Sequence, residues 1–134
     1  MRHGRRHPHA RSRTRRRDPA GEWSVRARVE RFGEPALLLL LRERPAHGYE
    51  LLERLPELLP DERIDMGNLY RILRALEEEG LVSSEWSDDL PGPAKRTYAI
   101  TDEGLRLLDA WVDGLRGTQE RISDFLTRYE RERR

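Results

Sequence analysis

A change of period at Gly80 constrains this chain more than any other feature. In "MGNLYRILRALEEEGL" (66–81), Leu69, Ile72, Leu73 and Leu76 recur at i, i+3, i+4 and i+7, which sets an apolar stripe along one side of a helix. Beyond Gly80 the repeat shortens to two. Val82, Ser84 and Trp86 alternate with Ser83 and Glu85, and Arg96, Tyr98 and Ile100 alternate with Lys95, Thr97 and Ala99. These are strand patterns, and "SDDLPGPA" between them makes a hairpin with a Pro-Gly-Pro loop. Gly80 stands where a left-handed C-cap belongs, and Asp65 where a carboxylate caps the helix start.

The elements around this junction follow from the same periodicities. A first helix is expected at about 34–43, nearly all apolar on its inner turns and broken at Pro45. A second, about 46–58, carries Tyr49, Leu51, Leu52, Leu55 and Leu58 as its stripe, with Pro56 expected to distort its last turn. "PDERID" (60–65) is a turn, and Thr101 caps a long last helix of about 102–131. Trp23, Ala27 and Val29 suggest a short helix over 23–31. Residues 1–22 show no apolar periodicity and have the composition of a chain that cannot order itself.

Three segments result: a disordered arginine-rich arm (1–22), a compact domain (23–101) and a C-terminal helix (102–134). Helix, helix, helix, hairpin, helix is a mainly α arrangement with a small β-hairpin. It is the order of a winged helix-turn-helix, a DNA-binding architecture, followed here by a long helix suited to dimerisation.

Composition excludes several classes. Among 134 residues there is no cysteine, so no disulfide scaffold, thiolate metal site or cysteine nucleophile exists. The longest apolar run, 36–41, falls far short of the ~20 residues of a membrane span, which gives the expectation of a soluble, cytoplasmic protein. There is no His–carboxylate–nucleophile grouping and no glycine-rich phosphate loop, so no enzyme and no cofactor is read. His3, His7 and His9 sit in the arm and are read as binding no metal. His47, at the start of helix two, is read as packing or capping.

The net charge of +1 conceals an asymmetry. Residues 1–17 hold eight arginines and no acid, leaving 18 basic and 25 acidic residues in 18–134, a net of −7. The arm is the polyanion-seeking part. Its Arg13, Arg15, Arg16 and Arg17 are read first as a nonspecific DNA tether, with insertion into the minor groove beside a DNA site, where narrow grooves attract arginine, as an alternative. An RNA contact or an acidic protein partner stays open. The excess of arginine over the single Lys95 is read as coding bias.

Charges are also sorted along the 66–81 helix. At 100° per residue, Gly67, Tyr70, Arg71, Arg74 and Glu78 lie opposite the apolar stripe. The front of that side is basic, and Glu77, Glu78 and Glu79 follow behind, where acids oppose the helix dipole. As a recognition helix its first turns would enter a major groove. Gly67 would allow close approach, Asn68 or Arg71 would read a base, and Tyr70 and Arg74 would hold phosphate. The glutamates would sit away from the duplex. An ordinary solvated face of mixed charge accounts for the same pattern.

"LLLLLRERPAHGYELLERL", "GNLYRILRALEEEGLVSSEW" and "KRTYAITDEGLRLL" together resemble the PadR family of bacterial transcriptional regulators over about residues 34–110. The resemblance implies a dimeric winged-helix repressor that binds a short inverted repeat and often answers to a small molecule. By it, Gly67, Asn68, Tyr70 and Arg71 correspond to DNA-facing positions, and Lys95 and Arg96 to the basic end of the wing's second strand. The arginine-rich arm is not part of that family pattern. The short region after Gly104 looks like the compact subgroup, with one C-terminal helix.

In that last helix Leu105, Leu108, Val112, Leu115, Gln119, Ile122, Leu126 and Tyr129 alternate spacings of three and four. This is a pairing seam over more than three heptads, flanked by Phe125, and it points to a homodimer. Gln119 would set register, while Gly114 and Gly117 weaken the middle. Trp111, between paired helices, would line an apolar effector pocket, unless it simply fills the core.

The reading is thus a homodimeric, nucleoid-associated repressor on an inverted-repeat operator of double-stranded DNA, with a small-molecule effector. Two rivals stand beside it: an RNA- or ribosome-associated winged helix anchored by its arm, and a winged-helix protein-interaction module.

Overall fold

The computed structural model describes residues 15–25, 32–60, 62–87 and 95–132. The chain divides into two compact units. One is drawn from Arg31–Leu108 and the other from Met1–Glu30 with Asp109–Arg134.

In the second of these, Arg15–Arg17 form strand β1, paired antiparallel with β2, Trp23–Val25, in the register Arg15↔Val25 and Arg17↔Trp23. Neither the disordered arm through residue 22 nor the helix from residue 23 is what the described residues adopt. A turn decides the matter. Gly21, at φ +91°, gives its N–H to the Asp18 carbonyl (2.8 Å), and the Glu22 N–H reaches the Asp18 carboxylate (2.8 Å). Arg15 and Arg17 lie 5.2 and 5.3 Å from the Trp23 ring centroid, so cation–π contacts hold the two strands together. The expectations for residues 1–14, Arg13 and the three arm histidines among them, lie outside the described residues, as do those for 26–31.

The 31–108 unit begins with α1, Gly33–Glu43. Its Leu37, Leu38, Leu40 and Leu41 are all buried, because the helix is enclosed by the elements that follow. Strand β3, Ala46–His47, leads into α2, Gly48–Leu58. Leu51 and Leu55 enter the core, and Arg54 pairs with Glu43 of α1. Tyr49 does not join the expected stripe and is 66% exposed. At 100° per residue it sits about 200° around the helix from Leu51. Pro56 lies on the exposed side, and the helix continues past it to Leu58.

Helix α3, Met66–Glu78, begins as its sequence requires: Asp65 accepts the Asn68 N–H at 2.8 Å. Leu69, Leu73 and Leu76 are fully buried, each worth about 2 kcal/mol of transfer free energy. It ends at Gly80, φ +79°, with Gly80 N–H on the Glu77 carbonyl (3.0 Å) and Leu81 N–H on the Leu76 carbonyl (2.9 Å). This pair of bonds is a Schellman closure.

Strands β4, Val82–Ser87, and β5, Lys95–Ile100, pair antiparallel from Val82↔Ile100 to Ser87↔Lys95. The sheet has three strands in the order β3-β5-β4, since Ala46 and His47 pair with Tyr98 and Thr97. A two-residue strand carries no periodicity, which is why only the hairpin is visible in the sequence. The loop at 88–94 lies outside the described residues. Thr101 caps α4, Asp102–Glu132, by accepting the Gly104 N–H at 3.1 Å. Leu107 and Leu108 complete this core. Leu108, expected in a pairing seam between subunits, is therefore committed to its own chain. Among the described residues no helix is long and apolar enough to cross a membrane.

Candidate nucleic-acid interface

With one face of α3 buried, its opposite face is presented as the 100° geometry requires. Gly67, Tyr70, Arg71 and Arg74 are exposed and Asn68 is half-buried, its backbone N–H held by the Asp65 cap. Arg71 and Arg74 make no hydrogen bond or ion pair with the described residues, so both guanidinium groups are free to meet an external anion. Nothing in the protein's own packing demands a glycine at 67. A Cβ there would meet only ordinary contact, 3.6 Å from the Asp65 carboxylate.

Tyr70 has a second task. A Cβ on Gly48 would stand 2.8 Å from the Tyr70 hydroxyl, so the missing side chain at the start of α2 lets the phenol of α3 lie against it. Tyr70 remains 40% exposed and ties the two helices of the helix-turn-helix together.

The wing is fastened to α3 by a chain of three side chains. The Ser84 hydroxyl donates to the Glu77 carboxylate (2.8 Å), and Arg96 Nε donates to the Ser84 Oγ (2.8 Å). Arg96 also lies 4.0 Å from the Glu77 carboxylate and 5.2 Å from the Trp86 ring centroid. Glu77 is thus tied to both strands of the wing, by hydrogen bond to Ser84 of β4 and by charge to Arg96 of β5. Glu78 and Glu79 are exposed at the trailing end, as expected. Tyr98, on β5, is 5% exposed. Burial pushes its hydroxyl pKa above the ordinary value, with the nearby Arg96 pulling the other way.

A cleft of about 440 Å³ opens between the start of α2, the exposed side of α3 and the wing. It brings together the predicted Tyr70, Arg74, Lys95 and Arg96 with Tyr49 and Trp86, which sequence reasoning had not placed there. The exposed aromatics were the available signal. Periodicity alone makes Tyr49 a core position of the second helix and Trp86 a strand position.

Other predicted sites fall elsewhere. Arg15 is only 8% exposed and stacked on Trp23, so it is committed within its own unit, whereas Arg16 and Arg17 are exposed. Trp111 is buried, at 1% exposure. On α4, Leu105, Val112 and Leu115 are half-buried, while Ile122, Phe125, Leu126 and Tyr129 are exposed. His47 serves as a helix start: its N–H donates to the Glu50 carboxylate at 3.1 Å.

Three helices with a small antiparallel sheet, whose third helix shows an unpaired basic face beside a hairpin, define a winged helix-turn-helix protein. The sequence profile of the transcriptional regulator PadR-like family matches residues 37–110, and the chain belongs to that family, which consists of regulators and not enzymes. Among solved structures, the chain resembles a PadR family transcriptional regulator from Eggerthella lenta. That match has 32% identity and a TM-score of 0.62, over 73% of this chain and 84% of that one. A PadR family regulator from Clostridium difficile shares the fold at 23% identity and a TM-score of 0.64, over 71% and 98% of the two chains. Bacillus subtilis PadR in complex with operator DNA matches at 26% identity and a TM-score of 0.55, over 61% of this chain and 47% of that one. No curated protein matches the chain.

Proposed function

We propose that this regulator acts as a homodimeric repressor on an inverted-repeat DNA operator, with α3 in the major groove and the wing on the backbone. The observation that carries the reading is the face of α3. Arg71 and Arg74 project from it without hydrogen-bond or ion-pair partners among the described residues, and Gly67 at its leading end is a glycine that the fold does not need. The solved complex of Bacillus subtilis PadR with operator DNA supports the same use of this architecture. In this reading Asn68 and Arg71 contact base edges, Tyr70 and Arg74 contact phosphates, and Lys95 and Arg96 hold the flanking backbone. Arg16 and Arg17, with Arg13 of the arm, add sequence-independent attraction.

Exposed Ile122, Phe125, Leu126 and Tyr129 repeat at three- and four-residue spacing on α4, the surface that a second copy would cover. Two copies related by a twofold axis would place their recognition helices about 10 bp apart or a multiple of it. A small-molecule effector that relieves binding belongs to this reading, and a thermal-shift screen would find it.

Arg71→Ala with Arg74→Ala tests the whole. Operator affinity should fall at least tenfold, and the slope of log K against log salt should flatten by about 1 for each phosphate contact removed. Unchanged binding would favour a protein-interaction module, and tighter binding to RNA duplex than to DNA at equal salt would favour an RNA partner.

A further inference from the structure

Exposed large apolar side chains in the 31–108 unit are Tyr49, Tyr70 and Trp86, among the described residues, and all three line the cleft between α2, α3 and the wing. Two of them have duties already described: Tyr70 lies on Gly48, and Trp86 carries the Arg96 guanidinium. Tyr49 has none. It neither enters the core nor forms a hydrogen bond with the described residues, yet it is held on a well-formed helical turn at the cleft.

The charge of the cleft says what it receives. Its one carboxylate, Glu77, already accepts the Ser84 hydroxyl and faces Arg96. Arg74 and Lys95 make no ion pair with the described residues. The opening therefore offers two free cations and the hydroxyls of the two exposed tyrosines, Tyr49 and Tyr70, with buried Tyr98 also in its lining, a donor set without an unpaired acceptor of charge. That set matches a phosphodiester oxygen pair, which takes charge from cations and short hydrogen bonds from hydroxyls.

We infer that this cleft is a phosphate clamp and that Tyr49 of α2 is a third DNA-positioning element, beside the recognition helix and the wing. A single backbone phosphate is seated between Tyr49 and Arg74, with Lys95 completing its charge. The contact carries no base information. It fixes the depth and angle at which α3 enters the groove, because α2, α3 and β5 all border the same seat. This rests on the operator-binding reading.

The test is an anisotropy titration of the full chain with a selected operator in which one backbone phosphate at a time is replaced by methylphosphonate. Tyr49→Phe should weaken binding about fivefold on operators of every base sequence with all phosphates intact, leaving the ranking of base sequences and the melting temperature unchanged. One methylphosphonate position should weaken the wild type about tenfold and weaken Tyr49→Phe/Arg74→Ala by less than twofold. Tyr49→Phe binding like the wild type, a changed ranking of base sequences, or an undiminished methylphosphonate effect in the double variant would each overturn the clamp. A wild type that binds no duplex with preference would overturn the operator reading, and the clamp with it; wild-type binding indifferent to Tyr49 would overturn the clamp alone.

Discussion

The Thr101 hydroxyl donates to the Gly80 carbonyl at 2.7 Å, joining the end of α3 to the start of α4. Because the same oxygen accepts the Gly104 N–H, one hydroxyl satisfies an orphan group at each helix terminus. Thr101→Ala should cost about 1–2 kcal/mol in urea unfolding, and Thr101→Ser distinctly less. Equal losses for both would show that the methyl group matters and the hydroxyl does not.

Gly104 is fixed by space. A Cβ there would stand 2.2 Å from the Leu81 carbonyl oxygen, and backbone on that side cannot yield cheaply. Gly104→Ala should lose more than 3 kcal/mol or fail to accumulate folded. Gly80→Ala, by contrast, meets nothing within 4 Å and suffers only its positive φ, so about 1 kcal/mol is expected. Melting curves of the two variants in parallel would rank them.

Ser84→Ala removes the middle of the Glu77–Ser84–Arg96 chain without changing net charge. Operator affinity should fall about three- to tenfold with the salt slope unaltered, since no phosphate contact is deleted. A slope reduced by a full unit would mean that Arg96 itself had been displaced from the backbone.

On α4, Phe125→Asp with Leu126→Asp places charge on an exposed apolar stripe. If that stripe pairs two copies, sedimentation should shift to the monomer while the circular dichroism of the 31–108 unit persists. A monomeric wild type would remove the basis of the dimer.

Burial raises the Tyr98 hydroxyl pKa above its ordinary value of 10.0. The sign follows from linkage: the unfolded chain ionises first as pH rises. The contribution is complete below about pH 10 and is lost as pH climbs through the folded value. Tyr98→Phe should flatten the fall in stability over that alkaline range. A parallel fall in both proteins would locate the titration elsewhere.

The linear pattern by itself determined the elements whose causes are local. Leu69, Leu73 and Leu76 share a stripe because of helix geometry alone, Asp65 and Gly80 end that helix through their own caps, and the alternation around Val82 and Tyr98 needs no partner to be read. The family was legible for the same reason, since its shared residues are these cores and caps. Only the tertiary structure decided what each polar face was for. Tyr49 lies outside the core because α2 begins at Gly48 and rotates it away from Leu51. Glu77 serves the wing because Ser84, on β4 beyond the turn at Gly80, comes within hydrogen-bond reach. Arg15 and Trp23 form a ribbon because a turn at Gly21 folds them together, and neither end of that contact leaves a periodic trace. Periodicity records burial along one element, whereas the clustering of exposed groups depends on how elements meet.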